Sequence, residues 1–193
     1  MQVFRWATER VQKVENLAEL MRPTNITRFE PRDRALTPEE IGLVYQYRER
    51  VGTSPTYRAL LLTMVRKSEL TNATRSEISF SEALWTTSKE RMKRHNPPQV
   101  FLSQQALDIF IALKTFAGGS DFVLPSRYDS DVPMSSATLK QVLPLTFKAA
   151  QKDGKSLNKF GPHDLRHTAR TLLHEAGYNT DWIEGSLAHE QKT

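Results

Sequence analysis

The sequence contains no cysteine and no long hydrophobic run. The first absence excludes a disulfide framework, a cysteine-ligated zinc site and a thiol nucleophile, and it suits a reducing compartment. The second excludes a membrane role, because the amino terminus has no apolar segment of the signal-peptide kind and no stretch approaches the length that spans a bilayer. We therefore expect a cytoplasmic protein.

Acidic residues are also comparatively few. The chain has 27 lysines and arginines against 22 aspartates and glutamates, which gives a formal net charge of +5 at pH 7. Such an excess is expected of a nucleic-acid-binding protein but occurs in many other basic proteins, so the placement of the charges has to decide. Of the 193 residues, 38% are hydrophobic and 25% are charged, which predicts one sizeable globular core with a smaller appendage.

Hydrophobic spacing divides the chain into an appendage, a linker and one larger domain. Residues 1–22 carry apolar side chains at spacings of three and four, which predicts an amphipathic helix. Residues 23–35 hold two prolines and show no clear period, so they are predicted to be a linker. The domain over residues 36–193 opens with Thr37 and Glu40, which can form a capping box around Pro38.

This domain is predicted to have an α+β fold, mostly helical with a small antiparallel sheet. The apolar stretch over residues 57–70 predicts a buried helix. Short β-prone segments predict strands over residues 78–80, 84–87 and 99–102. Further helices are predicted from Ser103 to Gly118, from Ser135 or Ser136 onward, from Pro162 to about Ala176 before Gly177, and from about Thr180 onward.

The densest chemical signal lies at the start of the helix from Pro162. His163 and Arg166 are three positions apart and so share one helix face. Unpaired backbone N–H groups and the positive end of the helix dipole would add to the guanidinium charge, so this end of the helix suits a phosphate. An isolated His-x-x-Arg pair is also common on ordinary solvated helices, and by itself it is not specific.

Three further segments accompany this pair, and with them the chain resembles the tyrosine recombinases, in particular integrases of temperate phages and genomic islands. Residues 65–70, Val-Arg-Lys-Ser-Glu-Leu, resemble the box that holds the first catalytic arginine, here Arg66. Residues 90–103 resemble the β-hairpin that presents the catalytic lysine, for which Lys93 is the best match and Lys89 and Arg94 are rivals. Residues 187–190, Leu-Ala-His-Glu, resemble the family's Leu-Gly-His box, with alanine in place of the more usual glycine.

The resemblance implies a fold, a site and a reaction. Residues 1–22 would be the last helix of a core-binding domain, and residues 36–193 most of an integrase catalytic domain. The implied catalytic residues are Arg66, Lys93, His163, Arg166 and His189. In the reaction a tyrosine attacks a DNA phosphodiester, forms a 3′-phosphotyrosyl intermediate, and the strand is religated to a partner strand.

The chemistry of that reaction accounts for the residue types. Arginine forks would bind the non-bridging oxygens on which negative charge gathers. Lys93 would protonate the departing 5′ oxygen, while His163 and His189 would position the phosphate and help to move the nucleophile's proton. No metal or other cofactor is expected. Contacts to DNA are expected from five further residues, which are Lys67, Lys89, Arg91, Arg94 and His167.

The nucleophile itself is missing from the sequence. All five tyrosines precede His189, so none follows the Leu-Gly-His-like box as the family's nucleophile does. We therefore expect this chain to be inactive alone, either as an expressed piece of a larger integrase or as the product of a decayed gene. The double-stranded DNA partner and a homotetramer on DNA are expected of the full-length protein, and a monomer of the isolated chain.

Two alternatives remain open from the residues. His163, Asp164 and His167 form a His-Asp-x-x-His pattern that is close to a zinc-hydrolase signature, because two histidines four positions apart can share a metal. That reading leaves Arg66 and Lys93 unexplained. The other alternative is a non-catalytic DNA-binding remnant that keeps the fold and the basic groove without the chemistry.

Overall fold

The computed structural model describes residues 34–49, 54–88 and 99–187. These residues all belong to the second of the two units into which the chain divides, Asp33–Thr193. The helix predicted over residues 1–22 and nearly all of the predicted linker lie outside the described residues. So do five of the predicted site residues, which are Lys89, Arg91, Lys93, Arg94 and His189.

The described part of the chain contains seven α-helices, a short 3-10 helix (Arg75–Glu77) and three short strands. The helices are α1 (Pro38–Glu49), α2 (Ser54–Thr63), α3 (Lys67–Thr71), α4 (Gln104–Phe116), α5 (Ser136–Lys152), α6 (Pro162–Glu175) and α7 (Thr180–Ser186). The strands are β1 (Ile78–Ser79), β2 (Leu84–Thr86) and β3 (Gln99–Phe101). The predicted class, mostly helical with a small antiparallel sheet, is confirmed. None of the helices in these residues is long and apolar enough to cross a membrane.

Helix α2 lies at the centre of the domain. It packs against α4 and α6, while α1 packs against α5. Tyr57 and Leu60 of α2 are almost completely buried, in one cluster with Phe110 of α4 and Leu165 of α6. The hydroxyl of Tyr57 donates a hydrogen bond to the backbone carbonyl of Leu139 in α5. Helix α2 therefore fixes the place of α6, the helix that carries the His-x-x-Arg pair.

The sheet is antiparallel with the strand order β1-β2-β3. Its central residue is Trp85, which pairs with Ile78 on one side and Val100 on the other and is fully buried. The indole N–H of Trp85 donates to the buried carboxylate of Glu77 at 3.2 Å, and the backbone N–H of Ser88 donates to the same carboxylate at 2.9 Å. Since a buried carboxylate is costly without such donors, Glu77 and Trp85 together anchor the sheet to the core.

The single helix predicted over residues 57–70 is wrong. Two helices, α2 and α3, occupy this stretch, with a break between them. Met64 has φ 53°, in the left-handed region, and Arg66 is extended with φ −70° and ψ 148°. The apolar residues continue through the break, since Val65 is apolar and buried as well. Hydrophobicity alone therefore does not reveal the break.

The predicted helix ends are confirmed where they depend on local chemistry. The backbone N–H of Thr37 donates to the carboxylate of Glu40 at 3.1 Å, and the N–H of Glu40 donates to the Thr37 hydroxyl at 3.2 Å, which is the expected capping box. The side chains of Ser103 and Ser135 each accept a hydrogen bond from a backbone N–H in the first turn of α4 and α5. Gly177, with φ 80°, follows α6 and takes the left-handed conformation that glycine adopts at helix ends.

The first described residues of the domain are fastened to α6 and to the loop before it. The guanidinium of Arg34 donates to the backbone carbonyls of Asn158 and Lys159 at 2.9 and 2.7 Å. The backbone N–H of Leu36 donates to the hydroxyl of Thr168 at 2.9 Å, and this hydroxyl donates in turn to the carbonyl of Asp164 at 2.6 Å. Thr168 is fully buried, so water does not reach this hydrogen bond and the Thr168 hydroxyl satisfies the N–H of Leu36.

Replacing Thr168 with valine is expected to destabilise the domain by about 1–3 kcal/mol, since it keeps the shape of the side chain but leaves the N–H of Leu36 unsatisfied. Chemical denaturation monitored by circular dichroism measures the change. The matched control is Thr115→Val on the exposed surface of α4, where we expect a change within about 0.5 kcal/mol. Equal effects at the two positions would contradict a stabilising role for the hydrogen bond between Leu36 and Thr168.

Candidate phosphate-binding site

Arg66 lies directly after the break that ends α2. Its backbone N–H donates to the carboxylate of Glu69 at 2.6 Å, and its Nη1 donates to the other oxygen of that carboxylate at 2.8 Å. The side chain of Arg66 is 44% exposed. Glu69 therefore orients a guanidinium that still faces solvent and can reach a ligand.

Arg166, by contrast, is buried on the second turn of α6. Its Nη1 donates to the backbone carbonyl of Met64, and its Nη2 donates to the backbone carbonyl of Leu187. Burial lowers the pKa of Arg166, the nearby charge of Arg66 lowers it further, and the acidic Glu69 opposes these effects. Arginine stays protonated in proteins, so both groups carry a positive charge. The effect of Arg66 on the pKa of Arg166 shows that the two charges lie within electrostatic range of each other.

His163 stands at the start of α6, three positions before Arg166. Its ring meets the ring of His167 edge to face, with the centroids 4.9 Å apart. Partial burial lowers the pKa of His163, and the charges of His167, Arg166 and Arg66 lower it further, while the carboxylate of Asp164 raises it. At neutral pH the imidazole is therefore held in its neutral form, in which one nitrogen can donate and the other can accept.

The structure thus brings together three of the five predicted catalytic residues, Arg66, His163 and Arg166. They come from two segments far apart in the sequence, and α2 brings these segments together because it packs against α6 and ends next to Arg66. Lys93 and His189 lie outside the described residues. The short helix α7, which ends at Ser186, is tied to α6 by an ion pair between Arg170 and Glu184 at 2.6 Å.

The two described residues predicted to contact DNA have different surroundings. His167 is half-buried beside His163. Lys67 follows Arg66 and donates from Nζ to the backbone carbonyl of Ser136 at 3.0 Å, which ties α3 to the first turn of α5. Burial lowers the pKa of Lys67, and the charge of Lys140 lowers it further. Lys67 therefore has a contact within the fold, and its contact with DNA stays a prediction.

The structure gives no support to the zinc alternative. The carboxylate of Asp164 is buried and accepts a hydrogen bond from the backbone N–H of Gly161 at 2.7 Å, so it caps the helix. Within residues 34–49, 54–88 and 99–187, no three histidine, aspartate or glutamate side chains are grouped to hold a metal ion. A structural zinc site normally has four ligands and a catalytic one three.

Sequence reasoning missed the backbone part of the site. The carbonyls of Met64 and Leu187 hold Arg166, yet a carbonyl leaves no mark in the sequence, since every residue has one. The one local sign would have been the end of α2 at Met64, which the uninterrupted apolar pattern conceals. The burial of Arg166 follows from these tertiary contacts and was not predicted either.

Comparison with known proteins shows to which family the chain belongs. The model of the phage integrase family matches residues 34–193. The chain belongs to this family. The predicted assignment to the tyrosine recombinases is thereby confirmed.

Similar proteins and structures agree with the family match. The prophage integrase IntA of Escherichia coli K12 is 33% identical over 162 residues, which cover 82% of this chain and 37% of that protein. A Tn1549 transposon integrase in complex with circular intermediate DNA has a similar fold, with TM-score 0.73, 16% identity, and coverage of 98% of this chain and 68% of that one. A lambda integrase tetramer bound to a Holliday junction gives TM-score 0.66 and 20% identity, covering 100% of this chain and 56% of that one. The chain spans 37% of the length of the curated relatives IntA and IntZ.

The pKa of His163 provides a direct test of the site's electrostatics. We expect His163 to have a pKa below the ordinary histidine value of about 6.5. The variant His167→Asn should raise the pKa of His163, since it removes a neighbouring charge and opens the His163 ring to water. Because the pKa is lower in the folded than in the unfolded state, protonation of His163 acts against folding as the pH falls below the unfolded value. Histidine NMR signals followed from pH 5 to 8 measure the shift.

The matched control for this titration is His174→Asn, in the last turn of the same helix and not among the charges that act on His163. It should leave the pKa of His163 unchanged. An equal shift in both variants, or no shift in His167→Asn, would contradict the described grouping.

Proposed function

We propose that this integrase domain binds and activates the scissile phosphate of double-stranded DNA in a site-specific recombinase. The observation that carries the proposal is the grouping of Arg66, His163 and Arg166 in a domain of the phage integrase family. Two guanidinium groups and a neutral imidazole match a phosphate, and more so a phosphorane that gathers charge on its non-bridging oxygens. The relatives' names, which are those of integrases, support the same substrate.

The two arginines would share this work unequally. Arg166 is held by two carbonyls and would offer its remaining N–H groups from a fixed position, which favours charge that develops in the transition state. Arg66, which follows α2, is more exposed and would bind the phosphate from the side opposite to Arg166. His163, Lys93 and His189 complete the proposed set, with Lys93 as the acid for the 5′ oxygen and the histidines as phosphate-positioning residues.

In the proposed reaction a tyrosine attacks the phosphate and a 3′-phosphotyrosyl intermediate forms. Two tyrosines of the described residues, Tyr47 and Tyr57, are poorly suited to act as this nucleophile. Tyr47 and Tyr57 are almost completely buried, and their hydroxyls donate to Asp153 and to the carbonyl of Leu139. We propose that the nucleophile follows His189 in the intact enzyme, as the family resemblance implies, and that the intact enzyme acts as a tetramer on DNA.

Binding to duplex DNA is expected to be weak and to fall steeply with salt, since phosphate contacts release counterions. Arg66→Ala should lower the affinity by about tenfold, which corresponds to the loss of one charge-assisted hydrogen bond. Fluorescence anisotropy with a labelled duplex at two salt concentrations measures both effects. Arg127→Ala, which removes an exposed arginine from the loop between α4 and α5, is the control and should change the affinity much less. Affinity that does not depend on salt would contradict phosphate binding.

A polypeptide of these 193 residues is expected to form no covalent complex with a nicked suicide substrate, because no tyrosine follows His189. A chimera continued with the carboxy-terminal segment of IntA, in which the family resemblance predicts the nucleophilic tyrosine, should form the complex, and Arg66→Ala or Arg166→Ala should abolish it. Denaturing gel electrophoresis shows the covalent band. A band from the 193-residue polypeptide would overturn the expectation, whereas a folded chimera that binds DNA without forming a band would favour the non-catalytic alternative.

A further inference from the structure

Met64 combines two features that rarely occur together. Its φ of 53° lies in the left-handed region, which a residue with a side chain adopts at a cost and which glycine usually takes at the end of a helix. Its side chain is nevertheless large and only 8% exposed. Strained backbone of this kind persists where the surroundings fix it, and it is often found where function needs an unusual geometry.

The left-handed turn decides where the carbonyl of Met64 lies. The N–H of Met64 still donates to the carbonyl of Leu60 at 3.1 Å, as the last bond of the helix. Its own carbonyl accepts a hydrogen bond from Nη1 of Arg166, which lies 102 positions farther along the chain. The residue that ends α2 is thus also the residue that receives one branch of the buried guanidinium.

The side chain of Met64 connects the same turn to the second acceptor. It packs in a small cluster with Ala169 of α6, Ile183 of α7 and Leu187. Leu187 provides the carbonyl that accepts from Nη2 of Arg166. One apolar cluster therefore packs beside both carbonyls, one on each branch of the guanidinium, and stabilises the turn that Met64 forms.

We propose that Met64 is a positioning residue for Arg166: its left-handed backbone aims its carbonyl at the guanidinium and forms, with the carbonyl of Leu187, a carbonyl clamp that fixes the rotation of that group, while its buried side chain stabilises the turn. The clamp leaves Nε–H and one further N–H on each Nη for a ligand. That this ligand is a phosphate rests on the proposed function, while the clamp itself does not. Orientation of this kind matters because small errors in placement cost large factors in rate.

Substitutions at Met64 separate the contribution of the backbone from that of the side chain. Leucine keeps the volume and is not branched at Cβ, so Met64→Leu should preserve the clamp. Isoleucine has a similar volume, but its branched Cβ strongly disfavours the left-handed region, so Met64→Ile should open the clamp. Met64→Gly keeps the backbone conformation and removes the packing, so it should keep the clamp in a less stable protein.

The clamp is measurable in the 193-residue polypeptide by NMR of arginine side chains labelled with nitrogen-15. Hydrogen bonds at both branches slow rotation about the Cζ–Nη bonds, so Arg166 should give separate Nη signals, assigned by their loss in Arg166→Lys. We expect these signals to persist in Met64→Leu and Met64→Gly and to average out in Met64→Ile at a temperature where each variant is folded. Persistence in folded Met64→Ile would overturn the proposal. Should that variant fail to fold, loss of the signals in folded Met64→Gly would overturn it instead.

The catalytic consequence is tested in the chimera with the IntA segment. Met64→Ile should lower the rate of covalent complex formation by at least about tenfold, while Met64→Leu should stay within about twofold of the parent. In an Arg166→Lys background the same exchange should have little further effect, since the group that it positions is gone. A full loss of rate in that background would point to general damage and contradict the proposal.

A titration with duplex DNA distinguishes failure of the clamp from failure of the proposed function. If the clamp is present and Arg166 contacts phosphate, the Nε–H signal of Arg166 should shift on addition of the duplex. A clamp that is present by its Nη signals but shows no Nε–H shift would contradict the phosphate-binding proposal and leave the clamp standing. Loss of the clamp signals in Met64→Leu would contradict the inference whatever the DNA does.

Discussion

The burial of Arg166 between two backbone carbonyls is the constraint on which the site depends. A guanidinium taken out of water needs partners for its N–H groups, and here the carbonyls of Met64 and Leu187 supply them. Each carbonyl ends a helix, α2 and α7 respectively, so the charge of Arg166 is stabilised where these two helices end. The requirement to satisfy one buried cation therefore couples three helices, because α6 carries the arginine.

This arrangement leaves a local excess of positive charge. Arg66 lies close enough to Arg166 to lower its pKa, and like charges at short range repel most strongly where water is excluded. Glu69 and Glu184 offset part of the repulsion, yet both carboxylates also serve an arginine of their own, Arg66 and Arg170. An anion that bound between Arg66 and Arg166 would relieve the repulsion directly, so the energetic cost of bringing the two cations together becomes part of the affinity for that anion.

The sequence predicted those parts of the fold and site that rest on local chemistry. Capping side chains such as Ser103 and the left-handed Gly177 mark helix ends through bonds to their immediate neighbours, and they were found where expected. The break at Met64 was missed because the turn is stabilised by tertiary contacts with α6 and α7, and the local apolar pattern is that of one continuous helix. The resemblance placed Arg66 and Arg166 in one site, but the burial of one and the exposure of the other depend on the packed structure.

The difference between the two arginines has a consequence for how each of them can be replaced. A buried, doubly held guanidinium resists replacement, since a shorter donor, or one without the fork of two nitrogens, leaves at least one carbonyl of the clamp without its partner. An exposed guanidinium that pairs with Glu69 is free to shift with a ligand, so in the proposed site it would adapt to the position of the phosphate. In the proposed site one cation would thus be fixed in orientation and the other would adjust to the substrate, a division of roles that two equally exposed arginines could not provide.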